Sequence, residues 1–128
     1  MRMKRMVVGA VLFAVSLALC SAGRRTTQTL TNDLTKTLQE ADHAAQTGDT
    51  QKAYTLSKKA FEEWEKDHQI LCTFQPHSRL EVIDQTLATL PDLSKCDNPG
   101  QFESECARGE TLARNLQESE FPLLQNIL

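Results

Sequence analysis

His68, Cys72, His77, Glu81 and Asp84 are the side chains of this 128-residue chain whose types and spacing could do chemistry. His68 and Cys72 are four residues apart, so a helix turns them to one side. His77 follows a break at Gln75-Pro76 and could swing toward them, with Glu81 and Asp84 adding oxygen donors. Zinc or copper accepts such donors, which makes His68, Cys72 and His77 a candidate metal site. The spacing matches no strong ligand motif, and a fourth ligand is not evident. The simpler reading makes His68 a hydrogen-bonded polar group at the edge of a core and His77 a residue near a helix start. As a pair, Glu81 and Asp84 could do acid–base work. Helix capping by Glu81, and a surface or inter-helix hydrogen bond from Asp84, explain them with less. Neither histidine has a visible nucleophile or paired base, and there is no haem attachment motif. The expectation is therefore a protein that is not an enzyme and needs no cofactor.

These residues have to be positioned by helices. Leu30, Leu34, Leu38, Ala41 and Ala45 recur at helical spacing, predicting a helix from about Thr27 to Gln46. Gly48 suits the left-handed position after it, and Asp49 suits the N-cap of the next helix. That second helix, Thr50 to about Thr73, puts Ala53, Leu56, Ala60, Trp64, His68 and Leu71 on one face, with Trp64 as a core anchor. Glu62, Glu63, Glu65, Lys66 and Asp67 lie mostly off it, as a solvated face. Pro76 stops the helix, because it lacks a donor and disfavours helical geometry in Gln75. Ser78-Arg79-Leu80-Glu81 reads as a capping box opening a third helix, whose seam is Leu80, Ile83, Leu87 and Leu90. Pro91 lies near its end, and fraying is expected by Lys95. Asn98 and Pro99 then start a fourth helix with Phe102, Cys106, Gly109, Leu112, Ala113 and Leu116 on one face. Gly109 suggests a close approach, with Trp64 as a candidate neighbour. Pro122 and the apolar residues up to Leu128 are expected to fold back onto the bundle.

Arg2, Lys4 and Arg5 head an apolar run from Met6 to Gly23, 18 residues long. That is just long enough to span a bilayer, and is also the pattern of a secretory signal. Arg24 and Arg25 directly after it disfavour cleavage, so an uncleaved anchor with the basic head in the cytoplasm is favoured. The alternative is secretion after signal cleavage. Cys20 follows a sequence superficially like a lipoprotein box, but Leu19 is too large for its position. Residues 24–128 keep 11 basic residues and all 17 acidic ones, for a net charge of −6. Neither nucleic acid nor anionic lipid is expected as the main partner of the domain, because both need a basic face. Beyond the membrane run stand Cys72, Cys96 and Cys106. Cys96 and Cys106 flank the last turn, close enough along the chain to staple it as a disulfide if their helix phases agree.

From Phe61 onward, Trp64 with His68 and Leu71, then His77-Ser78-Arg79-Leu80-Glu81-Val82-Ile83-Asp84, then Asn126-Ile127-Leu128, resemble the bacterial domain-of-unknown-function family 4363. The resemblance covers about residues 30–128. It implies a small protein with one N-terminal membrane segment and an Asn-Ile-hydrophobic end. It implies no activity, since none is assigned to the family, and the three cysteines fall outside its pattern. Together these readings predict an all-α protein. Residues 1–25 form a signal anchor or signal peptide. Residues 26–128 form a four-helix bundle of two antiparallel hairpins outside the cytoplasm. The expected role is an accessory or protein-interaction domain of the cell envelope, partnered by another membrane or envelope protein. The alternative role is a metal- or small-ligand-binding bundle.

Overall fold

The computed structural model describes residues 2–73, 75–96 and 98–118. Among these are four α-helices and no strand: α1 (Arg2–Gln46), α2 (Thr50–Leu71), α3 (His77–Ser94) and α4 (Pro99–Glu118). The all-α bundle expected from the periodicity is what forms. α1 packs on α2 and α4, and α3 packs on α2 and α4, so the four helices close a ring in chain order.

α1 differs from expectation in one respect. The membrane or signal segment and the first bundle helix are a single helix of 45 residues, about 68 Å long. The change from apolar to polar residues at Arg24 is a change of surroundings, and the backbone carries through it. Arg is a good helix former, no proline interrupts this stretch, and the Thr26 and Thr27 hydroxyls bond back to the Ala22 and Gly23 carbonyls of the helix. Residues 2–22 are exposed throughout, and the buried positions begin at Gly23. The exposed part is long and apolar enough to cross a membrane, with a mean hydropathy of 2.2, and a signal sequence has the same character.

Below it, α1 buries Thr27, Thr31, Leu34, Thr37, Leu38, Ala41 and Ala44. Three of these are threonines in a core, a position that normally penalises a hydroxyl. Each avoids the penalty by donating to the carbonyl four residues back: Thr27 to Gly23 at 3.0 Å, Thr31 to Thr27 at 2.6 Å, and Thr37 to Asp33 at 3.0 Å. Gln117 of α4 donates across to Thr31, to Asn32 Oδ1 at 2.7 Å and to the Gln28 carbonyl at 3.4 Å. The C-terminal end of α4 therefore lies against residues 28–32 of α1.

The turns form largely for the reasons their residues suggest. Gly48 takes φ of +83°, and the Asp49 carboxylate accepts from the Lys52 amide at 3.1 Å. Asn98 caps α4, accepting from the Gln101 amide at 3.3 Å, with Pro99 at the first helical position. α3 runs through Pro91 and ends at Ser94, whose hydroxyl donates to the Pro91 carbonyl at 2.6 Å. Lys95 sits 4.2 Å above the Tyr54 ring, pinning the end of α3 to the start of α2.

The core is built from Leu34, Leu38, Trp64, Leu71, Leu80, Ile83, Leu87, Leu90, Phe102, Cys106 and Leu116. Gly109 does mark a close approach, but the neighbour is Leu38 rather than Trp64. A Cβ added at Gly109 would lie 3.0 Å from Leu38 Cδ1, with Leu87 and Thr86 next at 3.8 and 3.9 Å. Trp64 faces the other way, toward α3. The expected folding back of the apolar C-terminal residues lies outside the described residues.

Candidate functional site

Trp64 and His68 stand one turn apart on α2, so both point from the same face. That face meets α3 at Asp84. The Trp64 indole N–H donates to Asp84 Oδ1. His68 Nδ1 lies 2.8 Å from Oδ2 and 3.0 Å from Oδ1. An ionised carboxylate only accepts, so Nδ1 carries the hydrogen and the ring's other nitrogen is left as its second polar site. Trp64 is fully buried, while the His68 and Asp84 side chains are 18% and 33% exposed. One carboxylate on α3 thus satisfies two donors from successive turns of α2, at the edge of the core. This is the inter-helix hydrogen-bonding role that Asp84's position suggested.

His77 opens α3 just beyond this contact. Its Nε2 lies 3.0 Å from Glu81 Oε1, one turn further along, with both side chains more than half exposed. Its ring is 5.4 Å from the His68 ring at 63°, and His68 is 6.5 Å from Trp64 at 61°. Trp64, His68 and His77 form an edge-to-face row from core to solvent.

The structure brings His68 and His77 together and leaves Cys72 out. Cys72 is exposed, and its Sγ donates to the Gln69 carbonyl at 3.1 Å. Among the described residues no three His, Cys, Asp or Glu side chains are grouped to hold a metal. The reason is local. Cys72 lies past the last residue of α2, and Asp84 already engages the imidazole that would have paired with it. Among the described residues the contact shown for His68 Nδ1 is the Asp84 carboxylate, which orients the ring.

The capping box at Ser78 and Glu81 does not form. Pro76, at φ −60° and ψ 136°, takes the position before the first turn, and α3 has no side-chain cap. Ser78 is then already helical, and Glu81 reaches His77 instead. The Cys96–Cys106 disulfide does not form either. Cys96 is exposed at the end of α3, its Sγ 3.4 Å from the Asp92 carbonyl, while Cys106 is fully buried in the core face of α4. Burial, reinforced by Asp42, Glu110, Glu103 and Glu105, pushes the Cys106 thiol up to about 12.

Sequence reasoning missed a set of carboxylates between helices. Asp42 Oδ1 is buried and has no hydrogen-bond partner among the described residues. Burial raises the Asp42 carboxyl, with His43 partly opposing. Burial also raises Glu110 on α4, and Asp42 adds to it against Arg114. On the α1–α2 side, burial, Glu63 and Asp33 together raise Asp67. Each looks like a surface residue in its own helix pattern, and only the packing of a second helix reveals the crowding.

The family model described as Domain of unknown function (DUF4363) matches residues 22–127. The match opens one residue before Gly23, where α1 passes from exposed to buried. No curated protein and no solved structure matches the chain. With that match spanning the whole bundle, the chain belongs to the DUF4363 family of domains of unknown function.

Proposed function

We propose that this protein is a membrane-anchored accessory or protein-interaction module of the bacterial cell envelope, with its bundle outside the cytoplasm. Its partner class is another membrane or envelope protein. The observation that carries this reading is the continuity of α1. The helix that would lie in the bilayer is the same helix that supplies a quarter of the bundle, with no linker between the two roles. Such an arrangement holds a small domain at fixed height and orientation on a membrane, which suits a spacer or docking part. The basic head of Arg2, Lys4 and Arg5 favours the cytoplasmic side for the N-terminus. The polar cluster supports a non-catalytic role, because the Asp84 carboxylate is committed to joining two helices.

The test is the intact mass and alkaline extraction behaviour of the full chain expressed in a bacterium. Retention of residues 1–22 and resistance to carbonate extraction are expected. A soluble product beginning near residue 23 would replace the anchor with a cleaved signal. Proximity labelling from the bundle in living cells should then mark other membrane or envelope proteins. Labelling confined to cytoplasmic proteins would contradict the placement.

A further inference from the structure

The end of the bundle nearest the apolar stretch differs from the rest of its surface. α2 runs back along α1 from the Gly48 turn for 22 residues. Counting back along α1 from that turn puts Leu71 level with about residues 25–29 of α1, and Asp67 comes near enough to Asp33 for that carboxylate to help raise it. Gln117 reaching Gln28 puts the end of α4 at the same height. The α2–α3 joint therefore lies roughly 3–9 Å from Gly23 along the axis of α1. The apolar run from Met6 to Gly23 covers about 27 Å, close to the thickness of a bilayer's hydrocarbon. Headgroups occupy roughly the next 5–8 Å, so with no linker the joint falls at their level.

The side chains at that level suit it. Ile70, at 48% exposure, is the most exposed large apolar residue of the bundle among the described residues, and it sits one residue before the end of α2. Arg25 and Arg79 are exposed on α1 and α3 at the same end, and His77 stands beside Arg79. Exposed Glu81 and Glu118 share this end; Glu81 is engaged by His77, and Arg25 and Arg79 are the groups suited to lipid phosphate.

We propose that this end, centred on Ile70 with Arg25 and Arg79, is a lipid-contacting surface that rests on anionic phospholipid headgroups. The apolar side chain dips to the acyl boundary, and the guanidinium groups meet lipid phosphates. The proposal rests on the anchor reading above. It makes the bundle's contact with the membrane a second attachment, one that stops the domain from leaning away from the surface.

The test uses the full chain in lipid nanodiscs containing phosphatidylglycerol. Trp64 is fully buried and gives a constant background, so Ile70→Trp adds one reporter at the joint and Gln51→Trp one at the opposite end. With shallow brominated lipids, Ile70→Trp emission should fall by about twofold while Gln51→Trp emission stays unchanged. Adding Arg25→Gln and Arg79→Gln should reduce the quenching. Equal quenching at both ends overturns the proposal. So does a blue-shifted but unquenched Ile70→Trp, which would mean that residues 121–128 or a second copy covers this end. A chain that has lost residues 1–22 and stays out of the discs refutes the anchor itself, whereas an incorporated, intact but unquenched chain refutes only the lipid contact.

Discussion

Asp84 is the residue on which the joint between α2 and α3 turns. Replacing it by alanine leaves the buried Trp64 N–H without an acceptor and frees His68. The expected cost is about 2–3 kcal/mol, measured by urea unfolding. His68→Ala should cost less, about 1 kcal/mol, because the ring is partly solvated. A cycle pairing Trp64→Phe with Asp84→Ala should be non-additive by at least about 0.5 kcal/mol, and additive losses would show that the contact does not couple the helices. Cys106 has a different signature. With its thiol pushed up to about 12 inside the core, it should resist alkylation at pH 8 while Cys72 and Cys96 react, and it should label only on unfolding. Mass spectrometry of the alkylated protein reads this directly. Asp42 contributes to the pH dependence, alongside Glu110 and Asp67. Its carboxyl is raised in the folded state, so the folded state holds more protons than the unfolded one between the ordinary value of 3.8 and the raised value. Stability at this group is then fully present below 3.8 and is lost as pH rises through the raised value. Asp42→Asn should therefore raise the melting temperature at pH 7, with the gain shrinking toward pH 4. A gain independent of pH would contradict the assignment.

At the scale of elements, the local punctuation was readable and the long-range phase was not. Gly48 with Asp49 and Asn98 with Pro99 act within a few residues, so their chemistry is complete in the sequence, whereas α2 ends at Leu71, ahead of the expected Thr73, and Pro76 stands before α3. Ser78 with Glu81 shows the limit of the same logic. The Ser-x-x-Glu pattern is present, but the box does not form, because Pro76 occupies the position before the helix and Ser78 lies inside it. Asp84, Asp42 and the Gly109–Leu38 contact depend on which helix lies opposite, which no single helix records. Gly109 also gives an element-scale prediction. Gly109→Leu forces side-chain bulk onto Leu38, Leu87 and Thr86, so it should destabilise the bundle by about 1–3 kcal/mol. Gly109→Ala has a smaller effect, since about 1 kcal/mol of helix propensity offsets the 3.0 Å contact. Thermal melts of the two variants should rank in that order.

The described residues form a ring of four helices, one of which continues out of the ring as an exposed apolar rod. Composition signals the rod and the bundle separately, because one is apolar and the other acidic. Their fusion into one helix was hidden, since the boundary at Gly23-Arg24-Arg25 changes hydropathy and leaves the backbone untouched. That fusion is the central claim, because it makes the apolar segment and the folded bundle move as one body. Spin labels at Gly9→Cys and Gln46→Cys, with Cys20, Cys72 and Cys96 replaced by serine, measure it in nanodiscs. An unbroken helix predicts one narrow distance distribution near about 55 Å. A broad distribution centred well below that, as a hinge near Arg24 would produce, would contradict it.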